Sequence, residues 1–208
     1  NNENILEIGV DEVGRGPMFG RVYAAAVILP KDNFDHSKMK DSKKFHSEKK
    51  INEVADYIRE NAIAWNVQYM DEQDIDNYNI LKASQMAMTK CVKHILARIK
   101  GKEVMALIDG NQCFVIHYEE EENIKSLKSV FIEGGDNKYS SIAAASILAK
   151  VTRDKYIYDL CDENPELKEK YFIHKNKGYG TKQHMDGIKN NGITKWHRKT
   201  FGICKTFV

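Results

Sequence analysis

The chain has 208 residues, of which 42% are hydrophobic and 30% are charged, a balance typical of one globular domain with a substantial core. No apolar run is long enough to cross a bilayer and no secretory signal is visible at the N-terminus, so we expect a cytoplasmic protein without a membrane partner. The four cysteines form no C-x-x-C pair, which favours free thiols over a zinc site.

The net charge of +2 does not by itself indicate a nucleic-acid partner, but the charges are unevenly distributed. After Tyr171, lysine and arginine dominate and Asp186 is the single acidic residue. Lysines also cluster between Lys38 and Lys50, whereas acids concentrate at 119–122. Such polarity suits an anionic polymer, although a solvated lysine-rich surface explains the same pattern equally well.

Hydrophobic periodicity, taken in chain order, predicts an α/β domain. Strands are predicted at 5–10, 22–29, 62–70, 104–108 and 129–133. Helices are predicted at 47–61 with Ser47 as the N-cap, at 79–100, at 140–160, and as short basic segments around 182–190. We expect the first three strands to form an antiparallel meander and the later strands, which helices separate, to be parallel.

The first predicted strand leads directly into two adjacent acids, Asp11 and Glu12, and then into a loop with Gly14, Arg15 and Gly16. Neighbouring carboxylates repel each other, which costs free energy, and a bound divalent cation such as Mg²⁺ offsets this repulsion. The loop amides and the guanidinium group suit a phosphate or sugar backbone. This segment predicts a metal-dependent enzyme acting on a phosphodiester. A solvated surface pair is the simpler alternative, and a dinucleotide fold is disfavoured because the glycines miss the G-x-G-x-x-G spacing.

Two further acids follow predicted strands, namely Asp109 and Asp136. If the first and fourth strands are parallel neighbours, Asp11, Glu12 and Asp109 share one crevice at the carboxyl end of the sheet, and the glycines before Asp136 let it bend towards them. An oxygen-only ligand set favours Mg²⁺ or Mn²⁺ over zinc, and four charges in one cleft predict two ions. Turn roles for Asp109 and Asp136 stay open, because Asp-Gly sequences are common in turns.

Eight short blocks occur in a specific order along the chain, at 10–17, 41–44, 79–81, 107–111, 135–136, 146–154, 177–181 and 197–198. Together they resemble the bacterial type 2 ribonuclease H family, ribonuclease HII. The resemblance implies a ribonuclease H-like fold with a five-stranded mixed sheet flanked by helices. It also implies a catalytic core at 1–160 and a basic helical extension at 161–208, packed on that core to form a single functional domain.

The resemblance further implies an endonuclease that hydrolyses RNA in RNA–DNA hybrids. Such enzymes also cut on the 5′ side of a single ribonucleotide in duplex DNA, leaving a 3′-hydroxyl and a 5′-phosphate. By resemblance, two Mg²⁺ or Mn²⁺ ions would be bound by the catalytic acids Asp11, Glu12, Asp109 and Asp136. The substrate-binding residues by resemblance are Gly14, Arg15, Gly16, Lys43, Asn79, Ser146 and Tyr179.

Within this set, the glycine loop would approach the 2′-hydroxyl group that distinguishes RNA from DNA, and the ring of Tyr179 would pack on a sugar. Ser146 is either a phosphate ligand or a structural helix residue. Phe19, Arg21 and Ala143 depart from the common family residues, which affects substrate placement rather than the four acids. A type 3 ribonuclease H, a noncatalytic hybrid-binding module and a nucleic-acid scaffold remain alternatives. A monomer is expected.

Overall fold

The computed structural model describes residues 5–40, 42–120 and 122–208. The strands in this part of the chain are β1 (Leu6–Val13), β2 (Val22–Ile28), β3 (Ala64–Met70), β4 (Val104–Asp109), β5 (His117–Glu120), β6 (Asn123–Ser126) and β7 (Ser129–Ile132). The α-helices are α1 (Glu48–Asn61), α2 (Glu72–Tyr78), α3 (Ile80–Leu96), α4 (Ser140–Glu163), α5 (Glu166–Glu169), α6 (Ile173–Asn176) and α7 (Lys182–Asn191). None of these helices is long and apolar enough to span a membrane.

Five strands form one mixed sheet in the order β3-β2-β1-β4-β7. The pairs β1–β2 and β2–β3 are antiparallel, and β1–β4 and β4–β7 are parallel. The predicted meander and the predicted parallel neighbours are therefore confirmed. Helices cover both faces of this sheet, with α3 on one side and α1 and α4 on the other. Because β2 is buried on both faces, it reads as an unbroken apolar run.

Helix α4 lies unusually close to β1. A Cβ atom added to Gly9 would come within 2.1 Å of the backbone carbon of Ser141, so only glycine fits there. The small residues Ala143, Ala144 and Ala145 on the first turns of α4 are all buried and leave room for this approach. The sheet thereby holds α4 close enough for one of its side chains, Ser146, to reach the end of β1.

A third apolar cluster joins the loop after β1 to the C-terminal part of the chain. Phe19 is fully buried there among residues that include Ile157, Leu167 and Ile188. The carboxylate of Asp76 on α2 accepts hydrogen bonds from backbone amides beyond α7, at 2.9 Å from Lys199 and from Thr200. These contacts attach the segment after α7 to α2.

Three local features differ from the sequence-based prediction. Strand β1 continues past Val10 to Val13, because β2 keeps pairing with it beyond its last pair with β4. The hairpin of β5 and β6 was not predicted, since its residues are largely exposed and lack an apolar face. Helix α2 was also missed, although the reciprocal bonds of Asp71 and Asp74 form a capping box at its start.

Candidate active site

The acids Asp11 and Glu12 lie inside β1, just past its last pair with the parallel strand β4. The parallel ladder ends at Val10 and Ile108, so the next residues, Asp11 and Asp109, stand at the same edge of the sheet. Successive strand residues face opposite sides, so Asp11 points towards α4 and Glu12 towards α3. The sequence placed these acids after the strand, but here the strand itself fixes their directions.

Asp11 is almost fully buried, with 5% of its surface exposed. Its Oδ1 accepts a 2.7 Å hydrogen bond from the amide of Glu12, and the hydroxyl of Ser146 also bonds the carboxylate. Burial raises the pKa of Asp11 well above its ordinary value, and the nearby charges of Glu12 and Asp109 raise it further. The site therefore concentrates the negative charges of Asp11, Glu12 and Asp109 in one place.

Glu12 and Asp109 line a common cleft together with Ser84 and Gln85 of α3. Burial raises the pKa of Glu12, and the adjacent Arg15 opposes that shift through an ion pair of 3.3 Å. The arginine is the more exposed partner, so the pair sits at the mouth of the cleft. Arg15 therefore has a carboxylate partner, besides its predicted role towards a substrate phosphate.

Asp109 and Asp136 are connected through the turn after β7. The amide of Gly135 donates a 2.7 Å hydrogen bond to Oδ1 of Asp109, so this carboxylate fixes the start of the short 3-10 turn that carries Asp136. Oδ1 of Asp136 accepts from Asn137 at 3.0 Å, and the amide oxygen of Asn137 accepts from Nζ of Lys44. Lys44 belongs to the block at 41–44, but sequence reasoning gave neither Lys44 nor Asn137 a role at the site, because no local pattern reveals a contact across such a separation.

The chemistry of this donor set fits a hard divalent cation. The candidate ligands are carboxylate oxygens alone, and the pKa values of the buried Asp11 and the partly buried Glu12 are raised in part by neighbouring negative charges. Within the described ranges, no three His, Cys, Asp or Glu side chains converge into a preformed metal cage. An open site agrees with Mg²⁺, which commonly takes one or two carboxylates and completes its shell with water and phosphate oxygens.

The glycine loop between β1 and β2 is held from below by Arg198, whose side chain is fully buried. Its guanidinium donates hydrogen bonds of 2.6–3.1 Å to the carbonyl groups of Gly14, Arg15, Pro17 and Gly20. Burial lowers the pKa of Arg198 to about 9, so the group remains charged at neutral pH. The block at 197–198 includes Arg198, but only the structure shows that it binds the carbonyl groups of the glycine loop.

A second buried arginine, Arg153 on α4, supports the same loop. It donates to the carbonyls of Phe19 at 3.3 Å, Arg21 at 3.2 Å and Lys177 at 3.0 Å, and so connects the loop to the segment before Tyr179. A Cβ atom on Gly14 would lie 2.4 Å from Nε of Arg153, and φ at Gly14 is +98°. Glycine is therefore required there by both space and backbone conformation.

Tyr179 lies beside the glycine loop. Its side chain is 50% exposed, and a Cβ atom on Gly16 would approach its ring to 3.3 Å.

Two neutral histidines, His184 and His197, form a hydrogen-bonded relay that fixes the backbone of Tyr179. The amide of Thr194 donates to Nδ1 of His197, which assigns the proton of His197 to Nε2 and directs it to Nε2 of His184 at 3.1 Å. Nδ1 of His184 then donates to the carbonyl of Tyr179 at 2.9 Å.

We expect this relay to make the fold sensitive to acid. Burial lowers the pKa of His197 from 6.5 to about 3, and burial also lowers that of His184. The unfolded chain therefore binds more protons, so the free energy of unfolding should fall as the pH drops from about 6.5 towards 3, by up to about 1.4 kcal/mol per pH unit for one group. Denaturant titrations at several pH values measure this slope.

The His197→Asn variant should lose much of that pH dependence, because asparagine does not titrate. The matched control is His46→Asn at an exposed position, which should leave the slope unchanged. An equal slope in the wild-type protein and in His197→Asn would contradict the assignment of the relay.

Three of the predicted substrate-binding residues either make structural contacts or lie partly outside the described residues. Asn79 caps α3, and its Oδ1 accepts from the amide of Lys82 at 3.0 Å, so its remaining amide hydrogens stay exposed. Ser146 is 4% exposed and lies 3.0 Å from the hydroxyl of Ser42, which favours its structural role beside Asp11. The side chain of Lys43 and the whole of Asp41 lie outside the described residues.

The mixed five-stranded sheet with carboxylates at one end defines the ribonuclease H-like class of folds, and solved structures support this assignment. The structure of ribonuclease H2 from Pyrococcus horikoshii OT3 superposes with a TM-score of 0.72 at 21% identity, covering 98% of this chain and 97% of that one. Bst-RNase HIII in complex with Mn²⁺ superposes with a TM-score of 0.65 at 17% identity, over 90% of this chain and 70% of that one. The predicted fold class is confirmed.

Sequence comparison identifies the family. The family model described as Ribonuclease HII matches residues 8–204. A ribonuclease HII of Pelagibacter ubique is 44% identical over 193 residues, or 93% of this chain and 94% of the relative, and one of Neisseria gonorrhoeae is 41% identical over 205 residues, or 99% and 96%. The chain therefore belongs to the ribonuclease HII family. It is a metal-dependent endoribonuclease that hydrolyses RNA in RNA–DNA hybrids.

Proposed function

We propose that this enzyme also cuts on the 5′ side of a single ribonucleotide embedded in duplex DNA, leaving a 3′-hydroxyl and a 5′-phosphate. The observation that carries the proposal is the contact between the glycine loop and Tyr179 beside the carboxylate cleft. The loop is fixed through the hydrogen bonds that its carbonyl groups accept, and an exposed ring lies next to it. Together they form a rigid surface that can distinguish one sugar from the next. The resemblance in the blocks at 10–17 and 177–181 supports the same specificity.

The proposed catalytic acids are Asp11, Glu12, Asp109 and Asp136, which would hold two Mg²⁺ or Mn²⁺ ions. When bound, such ions supply an activated water and stabilise the charge that develops on the leaving oxygen. The protein's own contribution is to fix the carboxylates. Strand β1 directs Asp11 and Glu12 to opposite faces, and the Gly135 amide holds Asp109. Asn137 donates a hydrogen bond to Asp136 and is itself bound by Lys44, so the two residues restrain Asp136.

Substrate selection is assigned to the loop and Tyr179. The peptide groups of Gly14 and Gly16 carry no side chain that blocks a 2′-hydroxyl group. Arg15, which lies at the mouth of the cleft beside Glu12, would contact a substrate phosphate. The flat ring of Tyr179 would accept a deoxyribose on the following nucleotide and disfavour an added hydroxyl. Lys43 and Asn79 are proposed to contact the phosphate backbone.

The proposal also covers the domain organisation, oligomeric state and location of the protein. We place residues 161–208 with the core in one functional domain, and we expect a monomer. A cytoplasmic location is proposed as well. It is supported by the free thiols of the four cysteines, three of which are buried, because a reducing compartment keeps such thiols unpaired.

The direct test is cleavage of a DNA duplex that carries one ribonucleotide, with Mg²⁺ or Mn²⁺ and with chelator, alongside a long RNA–DNA hybrid. A metal-dependent cut on the 5′ side of the lone ribonucleotide is expected, together with cleavage of the hybrid. Cleavage of the long hybrid alone would replace the proposal with a specificity like that of type 3 enzymes.

The Tyr179→Ala variant should affect the two substrates unequally. We expect cleavage at a single ribonucleotide to fall by about 10- to 100-fold, because one stacked ring contributes roughly 1–3 kcal/mol. Cleavage inside a long hybrid should fall much less. Relative kcat/KM values on both substrates measure the difference. Tyr78→Ala is the matched control, because Tyr78 is equally exposed at 49% but lies at the end of α2, whereas Tyr179 lies beside Gly16 of the glycine loop. Equal losses on both substrates would remove Tyr179 from junction recognition.

A further inference from the structure

A second cleft lies beside the candidate active site, between α3 and the segment that leads into β5. It has a volume of about 430 Å³ and is called the α3 groove below. Its helical wall carries Lys82, Lys90 and Lys93, and its opposite wall is formed by Phe114, Val115 and His117. Neither the proposed catalytic acids nor the proposed substrate-binding residues line this groove.

The three lysines form a stripe along one face of α3. They are separated by eight and then three residues, which places them within about 80° of each other around the helix axis. All three are exposed, and Nζ of Lys90 also donates a 3.2 Å hydrogen bond to Sδ of Met70 on β3. The stripe from Lys82 to Lys93 is about 16 Å long at 1.5 Å per residue, which matches four or five phosphates of one duplex strand at ~3.4 Å each.

The groove is continuous with the candidate active site. Gln85 and Phe114 line both the α3 groove and the cleft that holds Glu12 and Asp109. A strand that leaves the carboxylates along α3 would therefore meet the lysine stripe without crossing another element.

The charge and polarity of the groove suit a nucleic-acid strand. No acidic residue is among the described residues that line it, and the nearby Glu120 of β5 is paired with Lys125 at 2.6 Å. Apart from His117, the opposite wall is apolar, with Val115 61% exposed and the ring of Phe114 packed against Phe131. Cationic side chains facing an apolar wall are the combination that binds a sugar–phosphate backbone while its bases or sugars rest on the other side.

We propose that the α3 groove binds the backbone of one nucleic-acid strand where it leaves the active site. The proposal rests on the proposed function in one respect, since it assumes that the substrate enters the carboxylate cleft. It adds a contact surface of three lysines, which extends the binding site along the substrate and should increase affinity without changing which bond is cut.

The test is equilibrium binding of a labelled DNA duplex carrying one ribonucleotide, with chelator present so that no cleavage occurs. The triple variant Lys82→Gln, Lys90→Gln, Lys93→Gln should bind at least about tenfold more weakly at physiological salt. Its slope of log affinity against log salt should be smaller by about 2–3, because each lysine–phosphate contact contributes close to one unit.

The matched control removes three exposed lysines from the other end of the sheet, through Lys100→Gln, Lys102→Gln and Lys128→Gln. These residues lie before the starts of β4 and β7, whereas Asp109 ends β4. The control should change the salt slope little. An equal change in both triple variants, or no change in the groove variant, would overturn the proposal.

A second pair of variants tests the apolar wall. Val115→Glu places a negative charge inside the groove and should weaken binding several-fold, whereas Ile124→Glu on β6, an exposed position outside the groove, should not. Because the readout is binding, the two proposals fail separately. A wild-type protein that binds through the groove but does not cut the ribonucleotide-containing duplex would refute the proposed function alone.

Discussion

Asp109→Asn should reduce cleavage of both a long hybrid and a single embedded ribonucleotide by at least about a thousandfold, while hybrid binding stays within a few-fold of wild type. The substitution removes a charge from the edge of the sheet where Asp11 and Glu12 also lie. The fold should survive, because an asparagine oxygen can still accept the hydrogen bond that the Gly135 amide donates at 2.7 Å. Single-turnover cleavage and hybrid binding measure the two effects separately.

The matched control for this substitution is Asp159→Asn. Asp159 lies on α4 in an exposed ion pair with Lys155, so its replacement removes one negative charge outside the cleft. It should leave cleavage within about twofold of wild type, because exposed ion pairs contribute little. Retained turnover in Asp109→Asn would remove Asp109 from the catalytic acids and leave it with the turn role that the sequence also allowed.

Arg198→Met should lower the free energy of unfolding by on the order of 3–5 kcal/mol. The guanidinium occupies a fully buried position and donates to carbonyls of Gly14, Pro17 and Gly20. A buried carbonyl left without its donor costs about 1–3 kcal/mol, and methionine can replace none of these bonds. Since total stabilities are about 5–15 kcal/mol, such a loss is measurable by urea or thermal unfolding.

Two further variants separate the effect of Arg198 from a general loss of charge. Arg59→Met removes a partly buried arginine whose ion-pair partner, Asp56, is 65% exposed, and it should cost at most about 1 kcal/mol. Arg198→Lys keeps the charge but loses the planar fork, so it should fold with an intermediate stability and cleave the single ribonucleotide less well than wild type. Wild-type stability in Arg198→Met would show that the loop does not depend on this side chain.

The order of strands and helices could be predicted from the sequence because each element carries its own local signal. The apolar runs of β2 and β4 and the helical spacing of α3 required no knowledge of their partners. Ser47 was expected as an N-cap, and its side chain accepts from the amide of Lys50. The hairpin of β5 and β6 escaped prediction because its strands are stabilised by pairing with each other and bury few side chains.

The candidate site was predictable in composition and less so in geometry. Asp11, Glu12 and Asp109 stand out because acids that follow buried apolar strands are unusual. Their relative directions depend on strand register, which is a long-range property, and the sequence did not indicate that β1 would continue through both acids. The resemblance added Tyr179, whose place beside Gly16 depends on contacts between the two ends of the chain.

By itself, the sequence determined the strands of the main sheet, the long helices and the family of this protein, and it singled out the candidate carboxylates, because these depend on residue types within short segments. Tertiary structure alone decided which groups support the site. Arg198 and the pair His184 and His197 are far from the glycine loop and the acids in sequence, and their roles arise from hydrogen bonds to backbone carbonyls. A carbonyl is common to every residue, so no pattern of side chains reveals which ones a buried arginine or histidine will contact.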